Sequence, residues 1–178
     1  MKRFFSGLLP SQGKRIVEDL QQGRISIPIP ESALANALSE APDPGVRDLT
    51  LTLGDQAEII ISGYKRLGTW IRFVATFKAT PPPLYVPGPA IDLALKRARP
   101  LGAGPFILKA MRRMEQVEVV RSKARVRIDY WVEKQRWASM LPTGMLEYIR
   151  VADISSDPDR GVLLVSLSLA MPEGEPKG

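Results

Sequence analysis

The sequence predicts an α+β fold in which a long, curved antiparallel β-sheet wraps around one or two helices. Apolar and polar residues alternate over most of residues 46–80, which is the period of strands with one buried face. Turn residues such as Gly54-Asp55 separate these runs. Two short segments instead place apolar residues three or four positions apart, which is typical of amphipathic helices. Together these patterns indicate a sheet covered by helices.

The chain is predicted to hold one domain with a segment on either side. Its 178 residues are enough to bury a sizeable core without a disulfide or a metal. Residues 1–24 form an N-terminal segment with a short amphipathic helix, and residues 25–171 form the single α+β sheet domain. The polar residues 172–178 are expected to be a disordered tail.

The first half of the chain alternates helices and strands. Ser11 is a suitable N-cap for the first helix and Gly23 a suitable end. In the strand that follows, Pro28 and Pro30 remove backbone donors, so it lies at a sheet edge or forms a bridge and is not a central strand. After a second short helix, three strands form a meander over residues 46–80. One face of the third strand carries Ile71, Phe73, Ala75, Phe77 and Ala79.

The second half begins after the proline triplet 81–83, which is expected to be an extended connector. A strand over residues 90–101 precedes a helix that Pro105 is suited to begin. Residues 117–132 then alternate along their length, which predicts one long strand. A hairpin around the connector 155–161 completes the domain.

The absence of histidine and cysteine limits the chemistry of the chain. Without them there is no Ser-His-Asp or Cys-His machinery, no thiol nucleophile and no usual zinc site. No phosphate-binding loop or other catalytic fingerprint is found. We therefore expect a protein that is not an enzyme, with no cofactor and no bound metal.

One group of candidate residues is apolar and combines the third strand of the meander with the helix near residue 110. Core packing is the simplest interpretation of such residues. Flexible methionines beside a broad apolar sheet also suit an adaptable ligand surface. The predicted ligand-binding residues are Ile71, Phe73, Phe77, Phe106, Ile107, Met111 and Met114.

A second group is basic and lies on one face of the predicted long strand: Arg121, Lys123, Arg125 and Arg127. The chain has a net charge of +6 and a pI of about 9.8. A solvated strand face accounts for such a stripe, and an anionic surface of lipid headgroups or nucleic acid is the alternative. Only Trp131 follows the stripe, so nucleic acid, which needs interleaved aromatic residues, is the less favoured partner.

The order of elements resembles the tubular lipid-binding superfamily, which includes bactericidal/permeability-increasing-like and synaptotagmin-like mitochondrial lipid-binding domains and small bacterial single-module relatives. The resemblance covers most of residues 25–170. The segments that carry the resemblance are, in chain order, "ISIPIPESALANAL", "VRDLTLTLGDQAEIIISGYKRLGTWIRFVATFKA", "IDLALKRARPLGAGPFILKAMRRM", "VEVVRSKARVRIDYW" and "VADISSDPDRGVLLVSLSLA". It implies a curved sheet around a helix, with an apolar groove for acyl chains.

The resemblance and the two groups of residues lead to one expected function, with two alternatives left open. We expect binding of a lipid or another long apolar ligand at or near an acidic membrane surface, with the basic group at the headgroups. The alternatives are a nucleic-acid-associated basic protein, and a structural module whose apolar face is a homodimer seam. The apolar run 4–9 is too short for a secretory signal, which predicts a cytoplasmic location, with peripheral contact to the inner membrane.

Overall fold

The computed structural model describes residues 11–40 and 43–170. The apolar run 4–9 and the tail predicted for residues 172–178 lie outside the described residues. The helices are α1 (Ser11–Gln21), α2 (Glu31–Ser39), α3 (Ala103–Met111) and α4 (Asp129–Glu133), with single 3-10 turns at Ala138–Met140 and Met145–Tyr148. The strands are β1 (Ile25–Pro30), β2 (Val46–Leu53), β3 (Glu58–Leu67), β4 (Thr69–Thr80), β5 (Ala90–Arg99), β6 (Val117–Val120), β7 (Lys123–Arg127), β8 (Ile149–Asp157) and β9 (Val162–Leu169).

The strands form two antiparallel sheets in the described part of the chain. The larger sheet has six strands in the order β2-β3-β4-β5-β7-β6, and the smaller has three in the order β1-β9-β8. The predicted α+β class with a large antiparallel sheet is confirmed. The single sheet expected over the whole domain is instead divided in two. Strand β1 is an edge strand that pairs only with β9, as its prolines predicted.

The N-terminal helix α1 is part of the same core as the sheets. Its Leu20 is fully buried and belongs to the main apolar cluster. The helix packs against β9, and the chain leaves it through Gly23, whose φ of 64° few other residues adopt. The predicted start and end of this helix therefore agree with its observed range.

The two sheets are tied together by hydrogen bonds at the β2–β3 turn. The backbone N–H of Ala57 donates to Ser156 Oγ at 2.8 Å, and that hydroxyl donates to the carbonyl of Gly54 at 2.6 Å. Glu31, at the start of α2, accepts the N–H of Leu53 at 2.9 Å. These bonds satisfy backbone groups that have no hydrogen-bond partner within either sheet. They also hold α2 and β8 against the end of β2.

The prediction of one long strand over residues 117–132 is wrong. The chain reverses after β6 through Arg121 and Ser122, and it ends β7 in helix α4. Val120 therefore pairs with Lys123 on the exposed side, while Val119 pairs with Ala124. Alternation continues through both arms of such a hairpin, so the sequence period does not reveal the reversal. Arg121 takes a left-handed φ of 57° in the turn.

The larger sheet contains a buried ion pair between neighbouring strands. The carboxylate of Asp92 on β5 accepts two hydrogen bonds from the Arg125 guanidinium on β7, at 2.7 and 3.0 Å. Asp92 is only 2% exposed. The hydrogen bond to Asp92 raises the pKa of Arg125 above its ordinary value, despite the opposing effect of burial. Arg125 is thus a structural partner of Asp92, not the surface cation that the sequence predicted.

We predict that Arg125→Gln lowers the free energy of unfolding by about 3–5 kcal/mol, because it leaves the Asp92 carboxylate buried without its charged partner. Urea denaturation at neutral pH measures this loss. The matched control is Lys123→Gln, two residues earlier on the same face of β7 but at an exposed position, which should change the free energy by less than about 0.5 kcal/mol. Equal denaturation curves for the two variants would contradict the role given to the pair.

Candidate ligand-binding pocket

An apolar pocket of about 260 Å³ lies between helix α3, the larger sheet and the start of β2. Sheet residues from β2, β3 and β4 form one wall, and α3 with its preceding connection forms another. Six of the seven predicted ligand-binding residues line this pocket: Ile71, Phe73, Phe106, Ile107, Met111 and Met114. The structure therefore brings the strand and helix residues of the predicted group together.

Phe77 is the member of the predicted group that does not line the pocket. It shares the face of Phe73 on β4 but is fully buried in the core. The two residues are four positions apart along the strand, which places their rings about 13 Å from each other. One small pocket does not extend over that distance. The prediction relied on their common face and overlooked their separation along the strand.

Two glycines shape the walls of the pocket. A Cβ on Gly63 of β3 would lie 3.3 Å from Cε1 of Phe73 and 3.1 Å from the backbone oxygen of Arg47. A Cβ on Gly104 would lie 2.8 Å from Cδ2 of Leu95. Gly63 therefore makes room for the Phe73 ring, and Gly104 lets the first turn of α3 approach β5 closely.

A small polar cluster forms part of the pocket lining. One carboxylate oxygen of Asp43 lies 3.2 Å from Lys65 Nζ and 3.4 Å from an Arg113 guanidinium nitrogen. The other accepts the backbone N–H of Gly45 at 2.8 Å. This backbone hydrogen bond, with help from Lys65 and Arg113 and against some burial, lowers the pKa of Asp43 below its ordinary value. Two cations facing one carboxylate leave the cluster with a net positive charge.

Sequence reasoning missed this polar cluster. Lys65 lies on the same face of β3 as Ile61 and Gly63. A lysine at the end of an otherwise apolar strand face is the one feature of the sequence that could have indicated the cluster. Asp43 lies before β2 and Arg113 after α3, in irregular segments where no period applies. Only the folded chain shows that these residues meet.

The predicted basic stripe does not form one exposed surface. Arg121 and Lys123 are exposed at the β6–β7 turn. Arg125 bonds to Asp92, and Arg127 donates two hydrogen bonds of 2.8 Å to Asp129 and another to the carbonyl of Pro87. The expectation that all four residues meet headgroups is corrected, because internal acceptors hold the guanidinium groups of Arg125 and Arg127.

A different basic surface lies on the face of the larger sheet that points away from the pocket. Arg47 stands directly opposite Tyr64, Tyr64 is opposite Arg72, and Arg66 is opposite Trp70. The Arg47 guanidinium carbon lies 4.3 Å from the Trp70 ring centre and 5.5 Å from that of Tyr64. These distances are typical of cation–π contacts. We call these five residues the arginine–aromatic face.

Comparisons with protein-family models, with curated proteins and with solved structures find no match to this chain. The resemblance to the tubular lipid-binding superfamily therefore remains an expectation based on the order of elements. Across residues 11–40 and 43–170, no helix is long and apolar enough to cross a membrane. In the same residues, the acidic side chains form no group of three that could hold a metal ion.

We predict that Asp43 makes the fold sensitive to acid. Because its pKa is lowered on folding, its carboxylate stabilises the fold above the unfolded pKa of about 3.9, and this stabilisation disappears as the pH falls through the folded pKa. Thermal unfolding between pH 6 and pH 2.5 should show a smaller acid-induced loss for Asp43→Asn than for the wild type. Asp159→Asn, in the exposed β8–β9 turn, should follow the wild type. Parallel curves for all three proteins would contradict the prediction.

Proposed function

We propose that this protein, which we infer is not an enzyme, binds a single apolar chain with an anionic end, such as a fatty acid. The ligand lies in the pocket beneath α3. The observation that carries the proposal is an apolar pocket whose lining also includes the two cations of the Asp43 cluster.

The size of the pocket supports a ligand with one chain. Its volume of about 260 Å³ lies just below the range of about 300–1,000 Å³ that drug-sized ligands occupy. A two-chain phospholipid needs more space than this. Met111 and Met114 contribute unbranched, flexible side chains to the wall, and such side chains adapt to chains of different length.

The exposure of the lining residues also supports a ligand. Phe106 lines the pocket and is half exposed, whereas the core residue Phe77 is fully buried. A ligand that covers such a wall removes apolar surface from water, which contributes about 25 cal/mol for each Å² buried. The pocket is therefore a place where an apolar chain gains free energy on binding.

The charge of the polar cluster supports an anionic end on the ligand. Lys65 and Arg113 both contact Asp43, and a ligand carboxylate would compete with Asp43 for them. Since Arg113 is largely exposed, the ligand's head stays close to water while its chain lies in the pocket. A neutral head gains less from these cations, because it accepts their hydrogen bonds without carrying an opposite charge.

We predict that decanoate binds more tightly than decanol, as measured by displacement of an environment-sensitive fluorescent dye. Lys65→Gln and Arg113→Gln should each weaken decanoate binding by up to about fivefold, because a partly exposed ion pair contributes at most about 1 kcal/mol. Asp43→Asn should strengthen it by removing the competing carboxylate. Decanol binding should change less in all three variants, and equal effects on both ligands would contradict an anionic-end site.

The location of the site is tested by filling the pocket. Ala110→Phe adds a ring at a position that lines the pocket, and it should reduce binding of both decanoate and decanol at least about tenfold. Lys109→Phe adds the same ring at an exposed position of the same helix and should leave both affinities unchanged. Melting curves of both variants establish that the fold is retained. Unchanged binding by folded Ala110→Phe would exclude this pocket.

A second candidate function is binding of single-stranded nucleic acid. The arginine–aromatic face favours it, since such proteins combine cations with rings on which bases stack. The interleaving that the predicted basic stripe lacks is present here, in the cross-strand row of Arg47, Tyr64 and Arg72. This face lies on the opposite side of the sheet from the pocket, so the two functions can be tested separately.

If the face binds nucleic acid, the affinity for a labelled oligothymidylate should fall steeply with salt, by a logarithmic slope of about 0.7 for each phosphate contact. Fluorescence polarisation measures this slope. Arg72→Gln should reduce the slope by about one contact. Arg160→Gln, at the exposed β8–β9 turn, is the control and should leave it unchanged. No measurable binding by the wild type at low salt would remove this candidate.

A further inference from the structure

Three large apolar side chains face solvent around the opening of the pocket. Leu67 is 48% exposed, Leu101 is 99% exposed and Phe106 is 51% exposed, and all three also line the pocket. They come from the end of β3, the β5–α3 connection and α3 itself. Single exposed apolar residues are ordinary on a protein surface, but several around one opening indicate a surface that a partner covers. We call these three residues the apolar rim.

Cations lie directly beside the apolar rim. Lys65 lies two residues before Leu67 on the same face of β3. Lys65 and Arg113 both line the pocket, and Arg113 is largely exposed. Among the described residues that line the pocket, Asp43 is the only carboxylate. The surroundings of the rim are therefore positively charged.

We propose that the apolar rim docks on an anionic lipid bilayer, with its three side chains among the acyl chains and the neighbouring cations at the phosphates. This inference rests on the proposed function, since a pocket for a single acyl chain is supplied directly when its opening meets a membrane. A bilayer surface offers negative charge and an apolar layer within a few ångströms of each other. The rim and its cations are complementary to both.

The same features make other occupants fit less well. A two-fold dimer through the rim would place the cations of both copies against each other, and like charges at an interface are destabilising. Single-stranded nucleic acid would pair with the cations, but the rim offers its bases one ring, Phe106, whereas such proteins stack successive bases on several rings. The rings of Tyr64 and Trp70 lie on the face directed away from the pocket.

Co-sedimentation with vesicles tests the docking surface. Wild-type protein at low salt should bind vesicles of phosphatidylcholine and phosphatidylglycerol at least about tenfold more strongly than vesicles of phosphatidylcholine alone. The double variant Leu67→Gln, Leu101→Gln should lose about tenfold in binding to the anionic vesicles, because two inserted side chains become polar. Both positions are exposed, so its melting temperature should match that of the wild type.

The matched control is Leu84→Gln, which changes a leucine that is 82% exposed in the connection after β4 and does not line the pocket. It should bind vesicles like the wild type. The proposal is overturned if wild-type protein ignores anionic vesicles, or if Leu84→Gln weakens binding as much as the double variant. It is also overturned if gel filtration shows a wild-type dimer that the double variant loses, or if an oligonucleotide and not the vesicles distinguishes the double variant.

Decanoate displacement without vesicles separates this inference from the proposed function. Wild-type protein that binds decanoate but no vesicles rejects the docking surface and leaves the ligand site standing. Protein that binds anionic vesicles through the rim but does not bind decanoate supports the docking surface and rejects the ligand site. Both measurements use the same wild-type protein, so a difference between their results cannot come from a folding defect.

Discussion

The pairing of β3 with β4 is the constraint on which the rest of the molecule depends. The two strands pair without a register shift from Glu58 opposite Lys78 to Leu67 opposite Thr69. Because side chains alternate between the two faces of a strand, this register directs Ile71 and Phe73 to the pocket and Trp70 and Arg72 to the opposite face. A slip of one residue would exchange the two surfaces and expose the core. The apolar pocket and the arginine–aromatic face are thus two consequences of one register.

Folding gives some of the basic side chains a carboxylate partner and leaves others exposed to solvent. Arg125 meets a buried carboxylate on the adjacent strand, and Arg127 meets Asp129 at the start of α4. Arg66 and Arg99 meet no such partner in the described ion pairs and are exposed at positions of the sheet face opposite the pocket. A buried cation without a partner is costly, whereas an exposed one remains available for an anionic surface. The net charge of the sequence therefore does not show which of the cations stay exposed.

The pocket, its polar cluster and its exposed rim together support one physical process. The apolar walls favour a hydrocarbon chain, and Lys65 with Arg113 favours a negative end. The exposed rim favours entry from a layer that is apolar inside and anionic at its surface. Each feature alone has an ordinary structural explanation. Their position around one opening is the reason why we propose that the ligand is taken up from a membrane.

The sequence by itself determined the local elements and the faces of the strands. Period-two alternation assigned β2 to β4, the prolines assigned β1 to an edge, and the helix stripe placed Ile107 and Met111 on the side that faces the pocket. These patterns depend on residues that are close in the chain. The reversal at Arg121 and the meeting of Asp43 with Lys65 and Arg113 were decided only by the tertiary structure. Each depends on how distant segments pack in space, and a pattern of alternating residues is the same for a straight strand and for a hairpin.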